Sequence, residues 1–191
     1  MPKTNLFYDI NHAGGVMALS LQRVKRVDSL VRTSALTGEV GRQRISPDAR
    51  KLFNLLGVTY FISAVELFDD TLSLVGSTDT AQEPVFRVYK NPAVLPEAFI
   101  AHEARSFSDR EAEFNELLGE AFDPLTQVLL EDEEGPSTVD LGGSGSADRE
   151  VIGVARSKNQ QEVTVTAKTA ESGWLVLADT YYPGWKAYVD G

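Results

Sequence analysis

The chain has 191 residues, of which 42% are apolar and 24% are charged, and it contains no cysteine. This composition is that of a globular protein and excludes a disordered or fibrous chain. The lack of cysteine excludes disulfides, thiolate metal sites and a cysteine nucleophile. The sequence holds no run of 18 apolar residues, so no membrane-spanning helix is predicted.

The net charge of −10 is unevenly distributed along the chain. The first 51 residues hold nine basic and four acidic side chains, a net charge of +5, and the remaining residues carry −15. A strongly acidic protein repels nucleic acid, so a nucleic-acid partner is not expected. The basic N-terminal third is either a solvated face or a surface that contacts anionic phosphate, with Arg23, Lys25 and Arg26 as candidate contacts.

Residues 17–32 are predicted to form an amphipathic helix. Apolar residues recur there at steps of three and four, at positions Leu21, Val24, Val27, Leu30 and Val31. The three candidate basic residues lie off this apolar stripe. The segment that follows, residues 33–45, contains two glycines and is predicted to be a loop.

A second helix is predicted to begin at Ser46, whose hydroxyl can cap the first turn, and Pro47 suits the first helical position. Gly57 is expected to end this helix. Strands rich in β-branched and aromatic residues are then predicted over residues 58–63, 71–75, 85–89 and 98–101. A third helix begins at Ser108, three residues before Glu111, which is the spacing of a capping box.

The rest of the chain predicts short strands, over residues 126–130, 151–155, 161–168, 174–178 and 185–189. In the last of these, Trp185, Ala187 and Val189 alternate with polar residues and are predicted to point inward. An acidic run followed by a Gly/Ser-rich stretch predicts a flexible loop over residues 131–149.

These elements together predict an α+β fold with two parts. Residues 1–122 form a mixed α/β segment, and residues 123–191 form a partial, jelly-roll-like antiparallel β-sandwich.

The sequence predicts no catalytic residue, no cofactor and no metal site. P-loop, dinucleotide, zinc and calcium-loop patterns are all missing from it. Asp69-Asp70 is either an acid/base pair or a turn, and the acidic run over residues 131–134 either binds a hard cation or stays hydrated. His12 and His102 lie in no catalytic motif.

Aromatic residues are densest near the C terminus. Five of them fall within fifteen residues: Trp174, Tyr181, Tyr182, Trp185 and Tyr188. Because aromatic faces stack on sugar C–H groups, the last four are candidate carbohydrate-binding residues. Alternatively, they fill the core of the sandwich, with their hydroxyl and indole groups hydrogen-bonded. Exposed rings would favour carbohydrate binding, whereas buried rings would favour packing in the core.

The C-terminal residues 173–191 read GWLVLADTYYPGWKAYVDG. They resemble the hallmark of the YfhO-type bacterial membrane protein family, in which a strand leads into YYPGW and a second strand ends in VDG. Three earlier segments resemble that family in the same order, namely LFYDINHAGGVMALSLQRVKR (residues 6–26), LFNLLGVTYFI (52–62) and VYKNPAVLPEAF (88–99). This sequence departs from the family's pattern at two places. Gly15-Val16 stands where the family tends to have Gly-Tyr, and Glu97 replaces the arginine that usually follows Leu-Pro.

The resemblance implies that the chain is an extracytoplasmic domain on the outer face of a bacterial cell membrane, soluble in itself. It also implies that the β-sandwich is truncated at its C-terminal end, since members of the family continue through more sandwich strands. Members of the family resemble C-type glycosyltransferases that use polyprenyl-phosphate-linked sugars to modify cell-surface polymers such as teichoic acids. Their catalytic acid lies near the first membrane spans and matches no position here. The expected partners are therefore the membrane-spanning remainder of the parent protein and a surface glycan or polyanionic polymer.

Two other classes of function remain open. A free-standing carbohydrate-binding module would expose the C-terminal aromatic residues. A structural or interaction remnant with no ligand would self-associate through an open sheet edge.

Overall fold

The computed structural model describes residues 36–39, 42–78, 81, 84–131, 138–141, 149–157, 161–179 and 184–190. In chain order the described elements are β1 (Leu36–Glu39), β2 (Arg42–Ile45), α1 (Pro47–Leu55), β3 (Tyr60–Ser63), β4 (Ser73–Ser77), β5 (Arg87–Lys90), β6 (Ala98–Ala101), β7 (Glu103–Phe107), α2 (Arg110–Leu118), β8 (Gln127–Glu131), β9 (Thr138–Asp140), β10 (Arg149–Arg156), β11 (Val163–Thr169) and β12 (Trp174–Leu177). Neither of these two helices has the length and apolar character needed to cross a bilayer. The predicted helix over residues 17–32 lies outside the described residues.

The fold is α+β, which confirms the sequence-based prediction. Its described strands form small sheets with the orders β1-β2, β3-β5-β4, β12-β6, β8-β7-β9 and β10-β11. All of these pairs are antiparallel except β7 with β8, which run parallel. A parallel pair needs a crossover, and α2 supplies it, since it lies between the two strands in the chain.

The chain divides into two compact units, Met1–Leu95 (unit 1) and Pro96–Gly191 (unit 2). The predicted boundary after residue 122 differs from this division, because β6 and β7 precede that point and yet pair with strands that follow it. β6 pairs with β12, and β7 pairs with β8 and β9. Such long-range pairing leaves no mark on local composition.

Helix α1 begins and ends as its sequence predicts. The Ser46 side chain accepts a hydrogen bond from the Ala49 amide, Pro47 opens the helix, and Gly57, with φ of 69°, follows its end. This left-handed backbone favours glycine. The buried side of the helix carries Ala49 and Leu52.

The core of unit 1 lies between α1 and the sheet β3-β5-β4. Its buried cluster consists of Ile45, Ala49, Leu67 and Tyr89, with Phe53, Phe61 and Leu72 packed against it. The rings of Phe53 and Phe61 meet edge to face with centroids 5.0 Å apart. The Tyr89 hydroxyl accepts a hydrogen bond from the Leu67 amide at 3.0 Å, which satisfies both buried groups.

A buried asparagine joins three chain segments next to this core. Asn91, which is 3% exposed, donates from Nδ2 to the Asn54 side-chain oxygen and to the Val58 carbonyl, both at 2.8 Å. Its Oδ1 accepts from the Ala93 amide at 3.2 Å. The side chain thus fixes the end of α1 and the approach to β3 against the turn that follows β5.

Three local predictions are wrong. Residues 33–45 are not all loop, because β1 and β2 form a hairpin with Leu36 opposite Ile45. The N-cap of α2 is Asp109, whose Oδ1 accepts from the Glu111 amide at 2.9 Å, and not the neighbouring Ser108. Within the predicted flexible loop over residues 131–149, Thr138–Asp140 forms β9 against β7.

Candidate functional site

The segment 184–190 carries the two candidate carbohydrate-binding residues that the structure describes. It forms no strand, and every residue in it is exposed. Trp185 is 38% exposed and Tyr188 is 76% exposed. The aromatic rings of this segment are thus available to a ligand.

The prediction of an inward-facing strand over residues 185–189 is therefore wrong. Val189, predicted to be buried, is 88% exposed. Gly184 and Asp190, which flank the predicted strand, have positive φ of 115° and 56°, so a regular strand could not extend past either of them. Alternation along a strand distinguishes two faces but does not show that a partner covers either one.

The other candidate residues lie outside the described part of the chain. These are Tyr181 and Tyr182 on the aromatic segment and Arg23, Lys25 and Arg26 on the basic N-terminal third. Their proposed contacts with carbohydrate and with anionic phosphate stay predictions.

Trp174 belongs to the sheet and not to the exposed aromatic segment. It opens β12 opposite Ala101 and is partly buried. Its indole Nε1 is buried and hydrogen-bonds no group in the described part of the chain. Of the clustered aromatic residues, Trp174 thus agrees with the packing interpretation in its burial but not in the hydrogen bonding of its indole, whereas Trp185 and Tyr188 are exposed.

The segment offers the chemistry of a shallow sugar site. Trp185 and Tyr188 supply flat apolar faces, and the exposed Lys186 and Asp190 beside them supply a donor and an acceptor. Sugars present C–H faces for stacking and hydroxyl groups for hydrogen bonding. An open binding surface of this kind requires no deep pocket.

Of the two interpretations of Asp69-Asp70, the structure supports the turn. The Asp69 side chain is 4% exposed, forms an ion pair with Arg50, and accepts hydrogen bonds from the Thr71 amide and hydroxyl at 3.1 and 2.8 Å. Burial opposes its ionisation, but the Thr71 hydrogen bonds and the Arg50 charge outweigh burial and lower the pKa of Asp69. A carboxylate held ionised in this way is a structural acceptor and a poor proton donor.

Replacing Asp69 with asparagine is expected to lower the free energy of unfolding by about 1–2 kcal/mol at pH 7. Because the folded pKa lies below the unfolded value, this stability is present above the ordinary aspartate pKa and is lost as pH falls through the folded pKa. We therefore expect the difference in free energy of unfolding between the native protein and Asp69→Asn to decrease as the pH falls. Urea unfolding at several pH values between 7 and 2.5 measures this difference. The exposed Asp70→Asn is the matched control, and an equal effect in both variants would contradict the assignment.

A partly buried ion cluster joins elements of unit 2 that are distant in sequence. Arg156, at the end of β10, donates to Glu97 at 2.6 Å and to Asp179 at 2.9 Å. Burial disfavours its charge, but the two carboxylates outweigh burial and raise the pKa of Arg156. No sequence motif marks this cluster. Its Glu97 is one of the two positions at which the sequence departs from the pattern that it resembles.

His102 is a structural residue. It is 5% exposed, and its Nδ1 donates to the Ser172 carbonyl at 2.6 Å. His12 lies outside the described residues. Among the residues that the structure describes, no group of three or more His, Asp or Glu side chains is placed to hold a metal ion.

Comparison of the chain with protein-family models, with curated proteins and with solved structures finds no match.

Proposed function

We propose that the chain is an extracytoplasmic domain of a YfhO-like membrane protein and that it binds a cell-surface glycan through Trp185 and Tyr188. Its role is to position an acceptor for sugar transfer that the membrane-embedded remainder performs. The observation that carries the proposal is the exposure of both rings on a segment outside the strands. No residue of this chain is assigned a catalytic role.

Contacts between the family-like segments support this proposal. β3 lies in the segment over residues 52–62, and it pairs with β5, which lies in the segment over residues 88–99. Asn91 of the second segment hydrogen-bonds Asn54 and Val58 of the first. In unit 2, β12 of the terminal segment pairs with β6, at the end of the segment over residues 88–99. Segments that recur together in a family are expected to contact one another in this way.

The alternative of a free-standing carbohydrate-binding module relies on the same exposed rings. The two proposals differ in whether the chain acts within a membrane protein, not in the surface that meets the sugar. Hydrophobic spans encoded in frame beside this coding region would favour the first.

Replacing Trp185 or Tyr188 with alanine is expected to weaken glycan binding about two- to tenfold, since stacking on one ring is worth about 0.5–1.5 kcal/mol. The measurement is binding of the purified chain to a bacterial glycan array, followed by titration of the best ligand. Both side chains are exposed, so the melting temperature should stay within about 1–2 °C of the native value.

Tyr60→Ala is the matched control, since Tyr60 is also an exposed tyrosine, 55% accessible, but lies in unit 1. Its affinity for the glycan should equal that of the native chain. Absence of binding to any array glycan, or an equal loss in the Tyr60 variant, would reject the proposal.

A further inference from the structure

Strand β11 (Val163–Thr169) has one open edge within the part of the chain that the structure describes. It pairs with β10, and no other described strand pairs with it. The irregularity in this pair lies on β10, between Val151 and Gly153, so β11 itself is regular over its 7 residues. A regular edge strand offers a row of backbone groups to which another strand can pair.

The hydrogen bonds of the β10-β11 hairpin show which backbone groups of β11 face this open edge. The Ser157 amide donates to the Glu162 carbonyl at 3.0 Å, so the backbone at position 162 faces β10. Hydrogen-bonding direction alternates along an antiparallel strand, so the backbone at positions 164, 166 and 168 also faces β10. The intervening residues, whose N–H and C=O groups point to the open edge, include Val163, Val165 and Ala167.

The side chains of β11 are self-complementary about Val165. When a second copy is aligned antiparallel with Val165 opposite its own symmetry mate, Glu162 lies opposite the Lys168 of that copy. In the same alignment Thr164 lies opposite Thr166. These four side chains are exposed and share one face of the sheet, because they occupy alternate positions. Opposite charges and threonines that lie directly opposite each other stabilise a strand pair.

We propose that two copies of this chain dimerise by antiparallel pairing of their β11 strands about a two-fold axis at Val165. About six backbone hydrogen bonds form in this register, because the outward-facing residues of the two strands lie opposite one another. The two hairpins then form a single sheet with the order β10-β11-β11-β10. This interface is isologous, so each side-chain contact occurs twice, and the inference is independent of the proposed glycan binding.

Charge favours a second copy over other occupants of the edge. A lysine on an edge strand ordinarily prevents pairing, but the second copy supplies Glu162 opposite Lys168. A shift of two residues in either direction would separate these charges, so they also specify the alignment. The edge strands of unit 1 offer less, since β3 has 4 residues and no charged side chain, and β4 carries an irregularity between Leu74 and Gly76.

Sedimentation equilibrium of the full chain tests the proposal. The native chain should form a dimer between about 10 µM and 1 mM, since a small edge contact gives a weak complex. Glu162→Lys and Lys168→Glu each place like charges opposite one another twice, and each should weaken dimerisation about tenfold. The double variant exchanges the two charges, restores both ion pairs and should dimerise as the native chain does.

The matched control is Lys90→Glu, which makes the same change in net charge at an exposed position of unit 1 and should leave dimerisation unchanged. A monomer at every concentration, or a double variant as weak as the single ones, would overturn the proposal. Stronger association of Lys168→Ala than of the native chain would also overturn it, because Lys168 would then only protect the edge.

Disulfide trapping provides a second measurement, because the native chain has no cysteine. Val165→Cys should form an intermolecular disulfide under mild oxidation at least tenfold faster than Thr169→Cys. In the proposed register residue 165 lies opposite its symmetry mate, whereas residue 169 lies about 26 Å from its own, too far for a disulfide. Equal rates in the two variants would assign any dimer to another surface and overturn the proposal.

Discussion

Replacing Asn91 with alanine is expected to lower the free energy of unfolding by about 3 kcal/mol. The change removes three hydrogen bonds of a residue that is 3% exposed and leaves the Val58 carbonyl and the Asn54 side-chain oxygen without their donor. Each buried group left unsatisfied costs about 1–3 kcal/mol, which exceeds the value of an ordinary hydrogen bond. The affected groups lie at the end of α1 and before β3, so unit 1 should open first.

Urea unfolding followed by circular dichroism measures this loss, and hydrogen exchange at the β3 amides shows where it acts.

Asn91→Asp provides a sharper variant, because the ionised carboxylate keeps the shape of the side chain but donates no hydrogen bond. It should be strongly destabilising at pH 7 and partly recover in mild acid, where the protonated carboxyl can donate one hydrogen bond. Lys90→Ala, at the neighbouring exposed position, should change stability by less than about 0.5 kcal/mol. An Asn91→Ala variant as stable as this control would show that the three hydrogen bonds contribute nothing.

Replacing Gly173 with alanine is expected to destabilise unit 2 by about 2–3 kcal/mol. A Cβ atom at this position would lie 2.6 Å from Ile100 Cγ2, 3.2 Å from the Ala101 carbonyl oxygen and 3.2 Å from His102 Cε1. None of these neighbours is free to move, because Ile100 is stiff at χ1, Ala101 is fully buried and the His102 ring is held by Ser172. Overpacking of this kind typically costs about 1–3 kcal/mol.

Gly153→Ala is the matched control for this prediction, since a Cβ atom there would meet nothing within 4 Å. Its stability should equal or slightly exceed that of the native chain, because alanine restricts the unfolded state more than glycine does. Thermal and urea unfolding of the two variants separates a steric effect from a general effect of losing a strand glycine. Equal stability of the two variants would contradict the close packing of Gly173.

Local features of the fold could be predicted from the sequence, whereas long-range ones could not. The start of α1 follows from Ser46 and Pro47, because capping depends on residues within one turn. The predicted N-cap of α2, Ser108, lies one residue too early, because the neighbouring Asp109 also carries a side chain that can cap a helix. β9 was missed because a three-residue strand gains its stability from β7 and not from its own composition.

The same distinction applies to the candidate site. The cluster of aromatic residues is visible in the sequence, but the exposure of Trp185 depends on whether a partner strand covers it. Alternation favoured burial, and the structure shows an open segment instead. The Arg156 ion cluster could not be anticipated at all, because its partners are Glu97 and Asp179, which lie far apart in the chain.

The close succession of β6 and β7 has a mechanical consequence for unit 2. Only His102 separates the two strands, and its amide and carbonyl are bonded to Thr126 and Leu141 on either side. A tensile load applied to β12 would pass to β6 and continue along the chain into β7. Because β6 and β7 are nearly continuous, the sheets β12-β6 and β8-β7-β9 would share this load. The hydrogen bonds of His102 would have to break before the two sheets could separate.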